Sequence, residues 1–138
     1  MNEPPRPRVL LVEDDENDIL FFQRALRGCG AQVDLEIARD GESALQRLSR
    51  AEPLPDRILL DLKLPRASGL EVLSWIRSNP ALKHLSVTIM TSSGEPSDLA
   101  RIRELGIDDY IVKPVSYQGL LVIVGSLCRK WDLPIMPR

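Results

Sequence analysis

Arg57-Ile58-Leu59-Leu60-Asp61 is an apolar run that ends on a carboxylate, and it decides how the chain must fold. An unpaired aspartate is too costly to bury inside a sheet, so Asp61 has to stand at the exit of a strand. Three further stretches repeat the arrangement. Val9-Leu10-Leu11-Val12 opens onto Glu13-Asp14-Asp15, Val87-Thr88-Ile89-Met90 onto Thr91, and Tyr110-Ile111-Val112 onto Lys113. Near-continuous apolar runs are what strands covered on both faces require. In an open parallel sheet the strand C-termini share one edge, where such folds build their sites. Carboxylates, a hydroxyl and an ammonium gathered on that edge can hold a divalent cation beside a nucleophilic aspartate.

Between these strands the apolar spacing turns helical. Residues 16–27 carry Ile19, Phe22 and Leu26 on one face, with Gly28 as the stop. A second strand runs from Val33 to Ala38, and Asp40 caps a helix that turns Ala44, Leu45 and Leu48 inward. Pro53 and Pro55 break the chain ahead of the central strand. Ser68 and Glu71 have capping-box spacing and open a helix through Ile76. Residues 97–105 form the next helix, ended by Gly106, and Ser116 caps a last one running to about Lys130. This alternation predicts a flavodoxin-like, doubly wound α/β fold: a five-stranded parallel sheet in the order 2-1-3-4-5, with five helices on its two faces. All 138 residues read as one domain with its core at about 8–130, a proline-rich lead, a short tail and no output domain.

Bulk properties exclude several functions. A formal net charge of −2 argues against nucleic acid, and Arg101, Arg103, Arg129 and Lys130 are scattered without interleaved aromatics. No apolar stretch nears the ~20 residues of a membrane span. The N-terminus has no apolar signal core, so a cytoplasmic location is expected. Cys29 and Cys128 lack metal spacing and read as free thiols. His84 reads as an exposed loop residue and Trp75 as packing.

The chemistry follows from the shared edge. Asp14 and Asp15 leave a strand that in this topology neighbours the one ending in Asp61. Clustered carboxylates raise one another's pKa unless a cation is present, and Mg²⁺ suits oxygen ligands. The bland alternative is an acidic first turn that favours a helix N-terminus. A phosphoryl group spreads charge over three oxygens, and a cation, the Lys113 ammonium and the Thr91 hydroxyl would cover them.

Together these residues resemble a response-regulator receiver domain of bacterial two-component signalling. The motifs are Val12-Glu13-Asp14-Asp15, Leu60-Asp61-Leu62-Lys63-Leu64-Pro65 with Gly69, Thr91-Ser92-Ser93, and Asp109-Tyr110-Ile111-Val112-Lys113-Pro114. The resemblance implies that Asp61 is the phosphoacceptor. It makes Asp15, Asp61 and the backbone carbonyl of Lys63 direct Mg²⁺ ligands, with Asp14 acting through water. Lys113 would pair with the phosphoryl group and Thr91 would hydrogen-bond it. Tyr110 would couple phosphorylation to the face made by the fourth helix, fifth strand and fifth helix. The partner implied is a sensor histidine kinase. The texture is also similar to single-domain receivers that accompany phytochrome-type photoreceptor kinases. Lys63 and Ser93 stand where they would tune the lifetime of the aspartyl phosphate.

In the last helix Leu120, Ile123, Val124 and Leu127 form one stripe for docking on the sheet, leaving Leu121, Val122 and Cys128 off it. An apolar outer face marks an interaction site. With Trp131, Leu133, Ile135 and Met136 of the tail it predicts a homodimer or a docked partner; alternatively the tail folds back within the monomer.

Three rival functions remain. A haloacid-dehalogenase-type phosphatase needs an acid two residues after its aspartate, where this chain has Lys63. A flavodoxin-like cofactor binder needs a first loop of Ser, Thr and Gly rather than Glu13 to Asp18. A pseudo-receiver would be an interaction module without phosphorylation. As a receiver, the chain is a signalling substrate, not a turnover enzyme.

Overall fold

The computed structural model describes residues 5–50, 52–92 and 96–136. The apolar runs become strands β1 (Arg8–Val12), β2 (Asp34–Ala38), β3 (Arg57–Leu60), β4 (Ser86–Thr91) and β5 (Asp109–Val112). Helices α1 (Glu16–Gly28), α2 (Gly41–Leu48), α3 (Gly69–Ser78), α4 (Pro96–Leu105) and α5 (Tyr117–Lys130) alternate with them. All pairings are parallel and the strand order is β2-β1-β3-β4-β5, as the alternation predicts.

Each apolar run serves two cores, because successive strand residues face opposite sides of the sheet. Leu10, Val12, Ile58 and Leu60 pack with Ala44, Leu48, Val72, Ile76 and Ile102 of α2, α3 and α4. Val9, Leu11 and Leu59 face the other way, onto Ile19, Phe22 and Leu26 of α1 and Val124 and Leu127 of α5. Side-chain caps fix where the helices begin. Asp15, Asp40, Ser68 and Ser116 each accept a backbone N–H three residues on. Among the described residues no helix is long and apolar enough to cross a membrane.

One sequence expectation changes, along α5. Helix α1 ends at Gly28, and the chain turns at Gly30, whose φ is +73°. A Cβ at Gly28 would stand 3.4 Å from Leu121, so α1 and α5 approach closely there. Because α5 packs on α1 as well as on the sheet, its buried arc is wider than one stripe. Cys128 is therefore 1% exposed, not an outer-face residue. Trp131 and Leu133 are buried as well, in the same core. Asp132, at φ +51°, reverses the chain after α5. The Leu133 N–H then donates to the Cys128 carbonyl (2.9 Å), the Gln32 N–H to that of Pro134 (2.8 Å), and the Met136 N–H to that of Gly30 (2.8 Å). The tail folds back onto its own molecule. Of the proposed interface residues Leu121 is half-buried, while Val122, 72% exposed, and Ile135 and Met136 of the tail face solvent.

Candidate functional site

The exits of β1, β3 and β5 bring their charges together. Glu13, first residue after β1, is buried and donates its N–H to the Ala38 carbonyl (3.0 Å). Its carboxylate turns back and accepts the N–H groups of Asp14 (3.0 Å) and Asp15 (3.2 Å). Asp61 follows β3 and donates its N–H to the Val12 carbonyl (3.0 Å). Its Oδ1 accepts from the Lys63 N–H (3.1 Å) and its Oδ2 from the Lys113 Nζ (2.8 Å). Lys113 leaves β5 with its own N–H on the Thr91 carbonyl (2.8 Å). Its ammonium also reaches Glu13 (2.5 Å) and Asp18 (2.8 Å).

The loop after β3 is held by close backbone approach. A Cβ on Gly69 would fall 2.1 Å from the Asp61 carbonyl oxygen, and one on Gly41 would fall 1.9 Å from that of Ala67. Only glycine allows these approaches. The N–H groups of Gly41 and Glu42 donate to Pro65 (3.2 Å) and Arg66 (2.7 Å), which ties the loop to the start of α2. Arg66 and Ala67 take positive φ values of 51° and 78° in the same turn.

Carboxylate oxygens of Glu13, Asp14 and Asp61 lie within 4.8 Å of one another. Three hard oxygen donors at that spacing fit a divalent cation. Asp15 is outside this group: its Oδ1 accepts the Asp18 N–H (3.0 Å) as the cap of α1. The acidic pair beside Asp61 is thus Glu13–Asp14, one residue earlier than the sequence suggested. Burial raises the Glu13 carboxyl to about 7; the Lys113 hydrogen bond opposes the rise and the Asp61 charge adds to it. Burial would lower the Lys113 pKa, but hydrogen bonds to Asp18, Asp61 and Glu13 outweigh it and hold the ammonium above its ordinary value.

The remaining candidates are placed as follows. Thr91 is buried at the end of β4, in register with Val112, the residue before Lys113. Tyr110 is half-buried in β5 opposite Ile89 and packs on the α2–α3–α4 side. Lys63 has an exposed side chain and a backbone tied to Asp61. Ser93 lies outside the described residues. Sequence reasoning missed Asp18 entirely and undervalued Glu13. The legible signal was Val12 as the last apolar residue, which makes Glu13 the first group off the sheet.

Residues 9–124 match the model of the response regulator receiver domain. The chain belongs to that family. Receivers similar to it include the response regulator Rcp1 of Synechocystis sp., 34% identical over 94% of this chain and 91% of the relative. The Mn²⁺-bound form of Rcp1 superposes with a TM-score of 0.84 at 33% identity, covering 96% of this chain and all of that one. The phosphorylated cyanobacterial phytochrome response regulator RcpA gives 0.85 at 33% identity, covering 94% and 99%. One of these similar receivers, RcpA, is thus a phytochrome response regulator.

Proposed function

We propose that this receiver accepts a phosphoryl group on Asp61 from a phosphohistidine of a sensor histidine kinase, of the phytochrome type. The observation that carries the reading is the Lys113 ammonium 2.8 Å from Asp61 Oδ2, beside carboxylates spaced for a cation. An Asp61 carboxylate oxygen attacks phosphorus in line, the P–N bond breaks, and its electron pair leaves with the imidazole nitrogen. The product is an acyl phosphate. Asp61 is half-prepared for this, since the Lys63 N–H holds Oδ1 and leaves Oδ2 on the ammonium. Lys113 then donates to a phosphoryl oxygen, and the Thr91 hydroxyl to another.

Asp14, Asp61 and the Lys63 backbone carbonyl would hold Mg²⁺, with Glu13 as the outer acid and Asp15 left to cap α1. The bound cation supplies positive charge to the transferred oxygens. Lys63 and Ser93 set the lifetime of the acyl phosphate by controlling the attacking water. Thr91 and Tyr110 read the switch out on the α4–β5–α5 face by shifting a two-state equilibrium. That face keeps Val112 and Val122 exposed, which supports self-association there as a cytoplasmic homodimer.

The test is intact mass after incubation with a small acyl phosphate and Mg²⁺, for wild type and Asp61→Asn, with a parallel sizing run. One phosphoryl group added to wild type alone supports the reading. An unmodified, folded wild type makes the chain a pseudo-receiver.

A further inference from the structure

Asp18 is a carboxylate that the proposed chemistry leaves unused. It sits in the first turn of α1, where the Asp15 side chain accepts its N–H, and its own side chain is 41% exposed. An ammonium carries three N–H donors. Lys113 directs them at Glu13, Asp18 and Asp61 at 2.5, 2.8 and 2.8 Å. On the phosphoacceptor reading two of those acceptors have other partners to take: Asp61 becomes the acyl phosphate, and Glu13 belongs to the group of oxygens spaced for a cation. Asp18 is outside that group, on the solvent side of the ammonium.

We infer that Asp18 is a positioning residue that anchors the Lys113 ammonium over Asp61 while Glu13 and Asp61 exchange their partners. The inference rests on the phosphoacceptor reading above. A free lysine head explores many rotamers, and losing the correct one lowers the fraction of molecules ready to stabilise the transferred oxygens. The anchor is a hydrogen bond, so its charge is secondary. Asparagine keeps an acceptor oxygen at the same reach, whereas alanine does not.

The experiment compares phosphorylation rates by a small acyl phosphate, read by intact mass, for wild type, Asp18→Ala and Asp18→Asn. Mg²⁺ affinity and thermal unfolding are measured on the same samples. Asp18→Ala is expected to slow phosphorylation on the order of tenfold. Asp18→Asn should recover most of the rate, and Mg²⁺ affinity should stay within about twofold of wild type, as the side chain lies outside the cation-spaced group. A wild-type rate in Asp18→Ala overturns the inference and leaves the phosphoacceptor reading standing. Equal slowing in both variants also overturns it, because charge and not anchoring would then matter. Faster phosphorylation in both variants would recast Asp18 as a charge that repels the anionic donor. No phosphorylation of wild type would remove the reading and the inference together.

Discussion

The strand-exit edge and the α5–tail region are both built from residues the sequence flagged, yet they resolve differently. At the edge, flagged residues converge: Asp61, Lys113 and the acids after β1 meet within hydrogen-bond range. Along α5 and the tail, residues flagged for a surface disappear into the core: Cys128, Trp131 and Leu133. Strands explain the first outcome. Parallel pairing fixes which residue of each strand is last, so a motif position maps directly onto a place in space. A helix has no such constraint. Its periodicity reports an apolar arc but not how many neighbours share it, and α5 has both the sheet and α1.

The largest effect that would sharpen this contrast lies in the tail. Trp131→Ala should cost about 3 kcal/mol in chemical denaturation, because the indole fills a core and carries the Arg57 guanidinium 5.9 Å above its ring. If Trp131 were instead an interface residue, stability would hold and the oligomeric state would change. Next comes the rigid loop at the site. Gly69→Ala drives a methyl against the Asp61 carbonyl oxygen and should cost about 2 kcal/mol, with a loss of phosphorylation that exceeds the loss of folded protein.

A smaller effect tests the charge balance of the edge. Glu13 has a folded pKa of about 7 against an ordinary 4.5, so the folded protein keeps a proton that the unfolded chain releases. That contribution is fully present below about 4.5 and lost as pH rises towards 7. Cation-free protein should therefore lose stability across this window, and Glu13→Gln should flatten the slope in thermal melts recorded with a chelator. The smallest effect is at the surface. Val122→Asp should leave stability within about 0.5 kcal/mol of wild type, since the side chain is 72% exposed. Sedimentation of that variant then reports on self-association without a folding artefact.

The fold was legible because four apolar runs, one alternating strand, three side-chain caps and the intervening helical spacings all agree on one topology. That the strand-exit charges converge was legible; which acids of the first loop stand beside Asp61 was not. Glu13, Asp14 and Asp15 are consecutive acids, and the sequence does not say which carboxylate closes on the cation and which on the helix. The structure divides them: Glu13 and Asp14 face Asp61, and Asp15 caps α1. Asp18 was hidden for a related reason. An acid in the first turn of a helix already has a role in stabilising that helix, so its reach to Lys113 emerges only in three dimensions. For the tail the sequence left both an interface and a fold-back open, because composition does not show that Asp132 takes the left-handed turn that reverses the chain.

The division between neighbouring aspartates is also where the account is most exposed. The decisive measurement is Mg²⁺ binding by calorimetry for wild type, Asp14→Asn and Asp15→Asn, since asparagine caps a helix as well as aspartate does. The account predicts that Asp14→Asn abolishes or severely weakens binding while Asp15→Asn binds within a few-fold of wild type. Loss of binding in Asp15→Asn with retention in Asp14→Asn would contradict it.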